Sequence, residues 1–418
     1  MQKLFNALLY SLVFTVLSFA SLRAQNRLSL KEAVEIALGK NPALASSKAG
    51  IDRSKGKYLS GISLPKPSLS LNYEYVPRNK SLGKFGERTI ELSQEIEFPT
   101  VYFTRASQLK SQIGLSQAEY EKTRITVASQ VKKAYCNQLA KIKHAEIAKL
   151  NLGFAESFLE KAKTRSDLGE ASNLELLTAR VQAKQALNEL QSAEYEVKIA
   201  ENELISILGY PSEALNNHLL LSDSLGFKEI DLNINELINQ ALNSNPDYKM
   251  AEANLDFSRA GSTLAYSGLL PGFNIAYARQ SEQGNSDLYG MTFGISLPLW
   301  FIFEQNGQIQ EAKADLRSSE AELEGVKNSI RLNVNNSYNR LKNDERQLKL
   351  YRDEILIQSE EIFKAARISY DEGEISYLEF MQASQTLLNS RTGYIDMLLN
   401  YNNSLTALEE ALGREIEN

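Results

Sequence analysis

The chain carries the same series of landmarks twice, at a constant offset of 204 residues. The repeated motifs, in chain order, are Asn41-Pro42 and Asn245-Pro246, Pro67 and Pro271, Gly169 and Gly373, and Leu208-Gly209 and Leu412-Gly413. Four matches in one register indicate an internal duplication. We therefore expect two homologous halves, residues 25–210 and 231–418, joined by a linker at residues 211–230.

Residues 1–24 differ in composition from the rest of the chain. Lys3 precedes an apolar run from Leu4 to Ala20, and small residues lie at Ser18, Ala20 and Ala24. This pattern is typical of a secretory signal peptide, with cleavage after Ala20 or Ala24; an N-terminal membrane anchor is the alternative. Beyond residue 24 no run of about 18 apolar residues remains, so the sequence predicts no transmembrane helix.

Each half contains two stretches in which apolar and polar residues alternate. They lie at residues 68–77 and 89–98, and at 273–278 and 289–297. Strands of about ten residues with one apolar face have the length of membrane-spanning β-strands. The segments Arg78–Glu87 and Gln280–Leu288 are predicted loops, and Trp300, Phe301 and Phe303 form the aromatic group expected at a membrane interface. Two soluble hairpins, each with one buried face, remain the alternative.

The rest of each half is predicted to be helical. No proline occurs in residues 100–210 or 299–418, which are rich in strong helix formers and are interrupted only near Gly169 and Gly373. We expect in each half a first helix of about 30 residues, a long helix of about 65 residues spanning roughly 100 Å, a tight turn and a helix of about 38 residues. Ser29 and Glu32 predict a capping box at the start of the first helix.

Four membrane strands cannot close a barrel by themselves. An open sheet edge in lipid leaves backbone groups unpaired at several kcal/mol each, so other copies of the chain must complete the sheet. Two copies supply eight strands and three supply twelve, and a cyclic trimer is the smallest assembly with a wide lumen.

The duplicated "LSLKEAVEIALGKNP", the hairpins and the "LGEASNLELLTA" turn resemble the TolC-type outer-membrane efflux proteins over essentially the whole mature chain. The resemblance implies a mainly α fold with membrane β: four strands per chain, a 12-stranded trimeric barrel, a long periplasmic α-helical barrel and two internal repeats. It implies an exit duct of a tripartite pump or a type I secretion system, opened by a periplasmic adaptor and an inner-membrane transporter of the RND, ABC or MFS type. The segment "SQEIEFP" resembles the heavy-metal-efflux branch.

The resemblance also implies roles for residues near the two turns. The turns are expected to be periplasmic tips that contact the adaptor through Leu168, Gly169 and Ser172 in the first half, and through Gly373 and Ser376 in the second. The family carries an acid six residues after each tip glycine, here Glu175 and Glu379, and a tyrosine three residues before the second glycine, here Tyr370. Where the family has an arginine two residues after that glycine, this chain has Ile375, and where the family has a further acid, this chain has Gln382. The resemblance therefore carries over only part of a closed-state gate. The alternative is that the serines cap helices, with Glu175 and Glu379 closing capping boxes, and that the acids lie on solvated helix faces.

Other classes of protein fit the sequence less well. The only histidines are His144 and His218, the only cysteine is Cys136, and no nucleophile constellation or phosphate loop is present, so the sequence predicts neither an enzyme nor a cofactor or metal site. The net charge of −6 with no basic run argues against a nucleic-acid partner. A secreted or periplasmic coiled-coil scaffold, or an adaptor subunit, is the remaining alternative. The exported substrate (metal cation, drug or protein) stays open.

Overall fold

The computed structural model describes residues 27–169, 172–210, 219–282, 285–299 and 302–416. The first half contains β1 (Arg27–Leu28), α1 (Leu30–Lys40), α2 (Pro42–Gly61), β2 (Ser68–Glu74), β3 (Glu87–Ile96), α3 (Pro99–Asp167) and α4 (Asn173–Ile207). A short strand, β4 (Leu220–Leu221), lies between the halves and pairs in parallel with β1. The predicted signal peptide lies outside the described residues.

The second half repeats the series. It contains α5 (Ile234–Ser244), α6 (Pro246–Ser267), β5 (Gly272–Glu282), β6 (Asn285–Ser296), α7 (Glu304–Leu350), α8 (Leu356–Asp371) and α9 (Tyr377–Leu412). A π-helical turn, Tyr351–Ile355, joins α7 to α8 without a break in the helix. The predicted long helix, tip turn and shorter helix are therefore present in both halves, with 69 residues in α3 and 35 in α4.

The prediction of one first helix of about 30 residues was wrong, because that segment is two helices in each half. The break falls at Asn41 and at Asn245, and both residues have φ −64° and ψ 127°. A residue before proline is disfavoured in the α conformation, so the chain leaves the helix there and proline starts the next one. The predicted capping box of Ser29 and Glu32 is confirmed.

The four longer strands form one antiparallel sheet in the order β2-β3-β5-β6. One face is apolar and exposed: Leu69 is 73% exposed, Tyr289 77% and Phe293 73%. The opposite face is polar, with rows such as Asn72, Thr89 and Gln280 in register. Its outer strands, β2 and β6, each pair on one side only among the described residues.

The predicted loop Gln280–Leu288 was wrong. β5 continues to Glu282 and β6 begins at Asn285, and a register shift falls between Gln280 and Ser281. The polar residues at the ends of both strands extend the ladder because a ladder needs only backbone pairing. The loop between β2 and β3, by contrast, is long, as predicted.

By residue contacts the chain divides into two compact units, and each takes residues from both sequence repeats. One unit comprises Ala45–Thr123 and Ile238–Leu332 and includes the sheet. Within it, matched serine pairs join the helices: Ser54 to Ser116 and Ser258 to Ser319, each at 2.7 Å between the hydroxyl oxygens.

Among the described residues, the other unit comprises residues 27–44, 124–169, 172–210, 219–237 and 333–416. Two tyrosines occupy equivalent places in it: the Tyr135 hydroxyl donates to the carbonyl of Leu28 at 2.7 Å, and the Tyr338 hydroxyl to that of Leu232 at 3.4 Å. Each bond ties a long helix to the backbone just before the first helix of its repeat.

Part of the predicted linker is bound to helices of both repeats. The backbone N–H of Leu30 donates to the carboxylate of Asp223 at 2.7 Å, and the Tyr401 hydroxyl donates to the carbonyl of Lys228. Lys349 forms an ion pair with Glu229 at 2.6 Å. Residues 219–230 are therefore held against helices of this unit by hydrogen bonds and an ion pair. The limits of the two repeats and of the linker remain predictions.

Candidate functional site at the helix tips

Each of the two turns between long helices contains a glycine in the left-handed conformation. Gly169 has φ +77° and Gly373 φ +78°, the left-handed conformation that glycine adopts at little cost, as the turn pattern predicted. In the second turn the N–H of Gly373 donates to the carbonyl of Tyr370 at 3.1 Å. Leu168 is 69% exposed, and Gly169, Ser172, Gly373 and Ser376 are exposed as well. All five predicted tip residues thus lie at the helix reversals.

Each tip is followed by a serine N-cap. The Ser172 hydroxyl accepts from the N–H of Glu175 at 3.2 Å, and that of Ser376 from the N–H of Glu379 at 3.4 Å. Only the second serine belongs to a complete capping box, in which the Glu379 carboxylate accepts from the backbone N–H of Ser376 at 2.8 Å. This hydrogen bond and that from the Ser376 hydroxyl lower the pKa of Glu379. The alternative reading, in which both acids close capping boxes, therefore holds for Glu379 but is wrong for Glu175, whose carboxylate does not bond back to Ser172.

Glu175 lies half-buried against the second hairpin. Its carboxylate is 3.6 Å from the guanidinium of Arg165, and the nearer oxygen is buried and makes no normal hydrogen bond within the described residues. Burial raises the pKa of Tyr370; the Arg165 guanidinium opposes that shift, and the Glu175 carboxylate adds to it. Glu175, Arg165 and Tyr370 therefore interact electrostatically although they come from different hairpins.

A cluster of aromatic rings joins the two hairpins next to these charges. Phe158 on α3 is 4% exposed and stacks on Tyr377 with 4.1 Å between ring centroids; it also contacts Tyr370 at 5.3 Å and Phe380 at 5.9 Å. Tyr370 and Phe380 stack on each other at 5.2 Å. Ring pairs of this geometry contribute about 0.5–1.5 kcal/mol each beyond the area they bury. We name Phe158, Tyr370, Tyr377 and Phe380 the aromatic cluster.

Small residues let the helices approach here, since Ala162 on α3 and Ala179 on α4 are buried in the same core. An ion pair between Lys161 and Asp371, 2.6 Å apart, also crosses from α3 to α8, but both side chains are about half exposed. Exposed pairs contribute about 0–1 kcal/mol. The aromatic cluster is therefore the stronger of the two connections between the hairpins.

The structure brings together two of the four predicted gate residues, Glu175 and Tyr370. Glu379 lies at an exposed cap. Gln382 is exposed on α9, and its backbone carbonyl accepts from the Thr386 hydroxyl at 2.8 Å. Sequence analysis missed Arg165, which supplies in the first hairpin a cation like the one that the family pattern places at Ile375. The sequence predictions also omitted Tyr377, Phe158 and Phe380, although Tyr377 and Phe380 lie in the first turn of α9, directly after its cap.

The remaining predicted site residues lie elsewhere. Phe303 is 77% exposed just before α7, whereas Trp300 and Phe301 lie outside the described residues. Cys136 is buried, and burial raises the pKa of its thiol to about 11, so this thiol is unreactive near neutral pH.

The residues that the structure describes contain neither a candidate metal centre nor a candidate membrane-spanning helix. None of these residues form a group of three or more His, Cys, Asp or Glu side chains able to hold a metal ion. No helix in this part of the chain has both the length and the apolar character to cross a membrane.

Comparisons with known proteins agree with this architecture. The family model described as "Outer membrane efflux protein" matches twice, at residues 33–210 and 237–414. The cobalt-zinc-cadmium resistance protein CzcC of Cupriavidus metallidurans is 22% identical over 94% of this chain and 91% of its own length. The outer membrane protein TolC of Escherichia coli K12 is 21% identical over 94% and 84%.

The fold matches that of a solved structure. The outer membrane channel CmeC of Campylobacter jejuni superposes with a TM-score of 0.78 at 18% identity, covering 92% of this chain and 85% of CmeC. The comparisons indicate no catalytic family. The chain belongs to the TolC-type outer membrane efflux protein family, and it is an outer-membrane protein whose helical part lies in the periplasm.

Proposed function

We propose that three copies of this chain form the exit duct of a tripartite efflux pump, a passive channel opened by a periplasmic adaptor and an inner-membrane transporter. The observation that carries this proposal is the sheet: it has one polar face, one exposed apolar face, and outer strands that pair on one side only among the described residues. Its edges need partners in lipid, and copies of the same sheet provide them by joining β6 of one chain to β2 of the next.

Exposed apolar side chains on the helices support the same assembly. On α4, Leu174 is 74% exposed, Val181 55% and Tyr195 66%, and on α8 Ile368 is 48% exposed. Exposed apolar patches of this kind mark surfaces that pack against another protein. We assign them to contacts between neighbouring copies and, at the tips, to the adaptor together with Leu168, Gly169, Ser172, Gly373 and Ser376.

We assign the closed state of the gate to the contact between the hairpins. Glu175, Arg165 and Tyr370, with the aromatic cluster, hold the second hairpin against the first, and opening requires these contacts to separate. Glu379 and Gln382 lie outside this set, and their role in the entrance follows only from the family pattern.

The transported substrate is proposed from the relatives. CzcC is named for resistance to cobalt, zinc and cadmium, which supports metal cations as cargo. Drugs and secreted proteins are the other candidates. Deleting the gene and measuring sensitivity to metal salts and to hydrophobic drugs in parallel separates these cases.

A pair of substitutions on one strand tests membrane insertion. Phe293→Lys places a charge on the apolar face of β6, where lysine at the middle of a bilayer costs roughly 2–4 kcal/mol. Thr292→Lys adds the same charge on the polar face, one residue away. We expect Phe293→Lys to abolish heat-modifiable trimers in the outer-membrane fraction and Thr292→Lys to retain them. Equal yields of trimer from both variants would contradict the proposal.

A further inference from the structure

Basic residues gather at the loop end of the sheet. The loop between β2 and β3 contains no acid from Tyr75 to Gly86. The bases of this loop and of the neighbouring strand ends form what we name the basic rim: Arg78, Lys80, Lys84, Arg88 and Arg279. The first four make no ion pair with a carboxylate within the part of the chain that the structure describes.

The strand residues of the basic rim lie on the apolar face. In the strand register Arg88 is opposite Tyr73, and Arg279 is opposite Ile90 and Tyr289. The Arg88 guanidinium lies 5.2 Å from the centroid of the Phe85 ring, and that ring packs edge-on against Tyr73 at 5.5 Å. Arg88 is thus held by aromatic contacts.

Three acids at the same end of the sheet lie on the opposite face. Glu74, Glu87 and Glu282 form one row across β2, β3 and β5, and the Gln280 side chain donates to the Glu87 carboxylate. Because strand residues alternate between faces, β2, β3 and β5 separate their charges at this end: acids on the polar face, bases on the apolar face and in the loop.

The loop itself is compact. The N–H of Lys80 donates to the carbonyl of Pro77, and that of Lys84 to the carbonyl of Ser81, both at 2.9 Å, so the loop consists of two successive turns. Both lysines are exposed, as is Leu82 at 64%. An apolar tip between exposed bases, continuous with an apolar sheet face, fits the boundary between lipid chains and headgroups.

We infer that the basic rim binds the phosphates of phosphorylated lipid headgroups in the leaflet around the loop end of the sheet. This inference rests on the proposed membrane insertion. The chemistry is that of guanidinium and ammonium groups, which pair with phosphate oxygens through charge-assisted hydrogen bonds, while the adjoining rings and aliphatic side chains contact the acyl chains.

The test measures binding of three lipids to the purified full-length trimer in neutral detergent by native mass spectrometry: diphosphoryl lipid A, monophosphoryl lipid A and a phosphate-free glycolipid. Each base near an anionic lipid surface contributes roughly fivefold in affinity. We expect affinity to fall in that order of lipids, and Arg88→Gln with Arg279→Gln to weaken diphosphoryl binding by roughly 25-fold. Inorganic phosphate at the same concentration should not displace the lipid, because it lacks the apolar part.

Two further double variants complete the test. Lys80→Gln with Lys84→Gln changes only exposed loop residues, so it keeps the trimer intact and is expected to weaken binding to a similar degree. Lys48→Gln with Lys57→Gln removes the same charge from exposed positions on α2 and should bind as the unaltered protein does.

Three results would overturn the inference alone: an affinity that does not depend on the phosphates of the lipid, displacement of bound lipid by inorganic phosphate, or equal lipid binding by all variants. Failure of the unaltered chain to form trimers would instead overturn the proposed function.

Discussion

Phe158→Ala is expected to separate the two hairpins near their tips. The side chain is 4% exposed and contacts three rings of the second hairpin, so the substitution removes a buried ring and leaves a cavity in the contact. Buried Phe→Ala substitutions cost about 3–5 kcal/mol. Because all three ring partners lie on α8 and α9, we expect most of this cost to fall on the contact between the hairpins.

The magnitude predicts a large change in local opening. A tenfold change in an equilibrium corresponds to about 1.4 kcal/mol, so the open population should rise by about 100-fold or more. Hydrogen exchange by mass spectrometry on the trimer in detergent would show this as lost protection over residues 363–385, while β5 and β6 keep theirs. In planar bilayers the same variant should show higher or more frequent conductance.

Leu150→Ala is the matched control, since Leu150 lies on the same helix and is 47% exposed. Substitutions at such positions usually change stability by less than about 0.5 kcal/mol. If Phe158→Ala left both exchange and conductance like those of Leu150→Ala, the aromatic cluster would not hold the hairpins together and the assignment of the gate would be wrong.

Two further predictions concern the same region. Burial raises the pKa of Tyr377 to about 12, so the unfolded chain loses this proton near pH 10 while the folded chain keeps it. The free energy of unfolding should therefore fall between about pH 10 and 12. Unfolding followed by near-UV circular dichroism should show a smaller fall in Tyr377→Phe. Gly373→Ala forces a side chain into the left-handed conformation and should lower the melting temperature, at a cost of about 1 kcal/mol or more. Gly325→Ala lies in the interior of α7, where no atom lies within 4 Å of the added carbon, and should raise the melting temperature. Equal shifts for both variants would contradict this account.

Periodic and repeated features of the sequence predicted most of the fold. Alternation predicted the four strands, and the glycines predicted both tip turns because only a residue without a side chain adopts φ near +78° at low cost. Single-position features were missed. The Asn41 break depends on one Asn-Pro pair, and a long connection between β5 and β6 was predicted from polar composition alone, although backbone pairing there does not depend on side-chain polarity.

The candidate site was harder to predict because its members come together only in three dimensions. Glu175 and Tyr370 were found through the family pattern, but Arg165 lies ten residues before Glu175 on the other side of a tip. Nothing in the spacing of Phe158 and Tyr377 shows that they stack, since they belong to different repeats. Contacts between repeats have no periodicity to reveal them.

The π-helical turn shows how much information the duplication still contains. Between the strands and this turn, equivalent residues are 203 apart, as shown by Ser116 and Ser319 and by Tyr135 and Tyr338, which make equivalent hydrogen bonds; at Gly169 and Gly373 the offset is again 204. The second repeat therefore has one extra residue between its anchored tyrosine and its tip. One residue adds about 1.5 Å and 100° to an α-helix, and a π turn absorbs such an insertion locally.

The turn Tyr351–Ile355 lies within the interval that contains the extra residue. The ring of Tyr351 packs against α9 at Gly393, which has no side chain. A carbon added at Gly393 would be 2.5 Å from the Tyr351 ring, and the residue equivalent to Gly393 in the first repeat is Glu189. The insertion and the glycine thus belong together: the bulge needs room on the facing helix, and only the second repeat provides it. Tyr370 lies between this turn and the tip, so the direction in which its side chain leaves the helix depends on the inserted residue. The overall offset of 204 does not reveal that insertion.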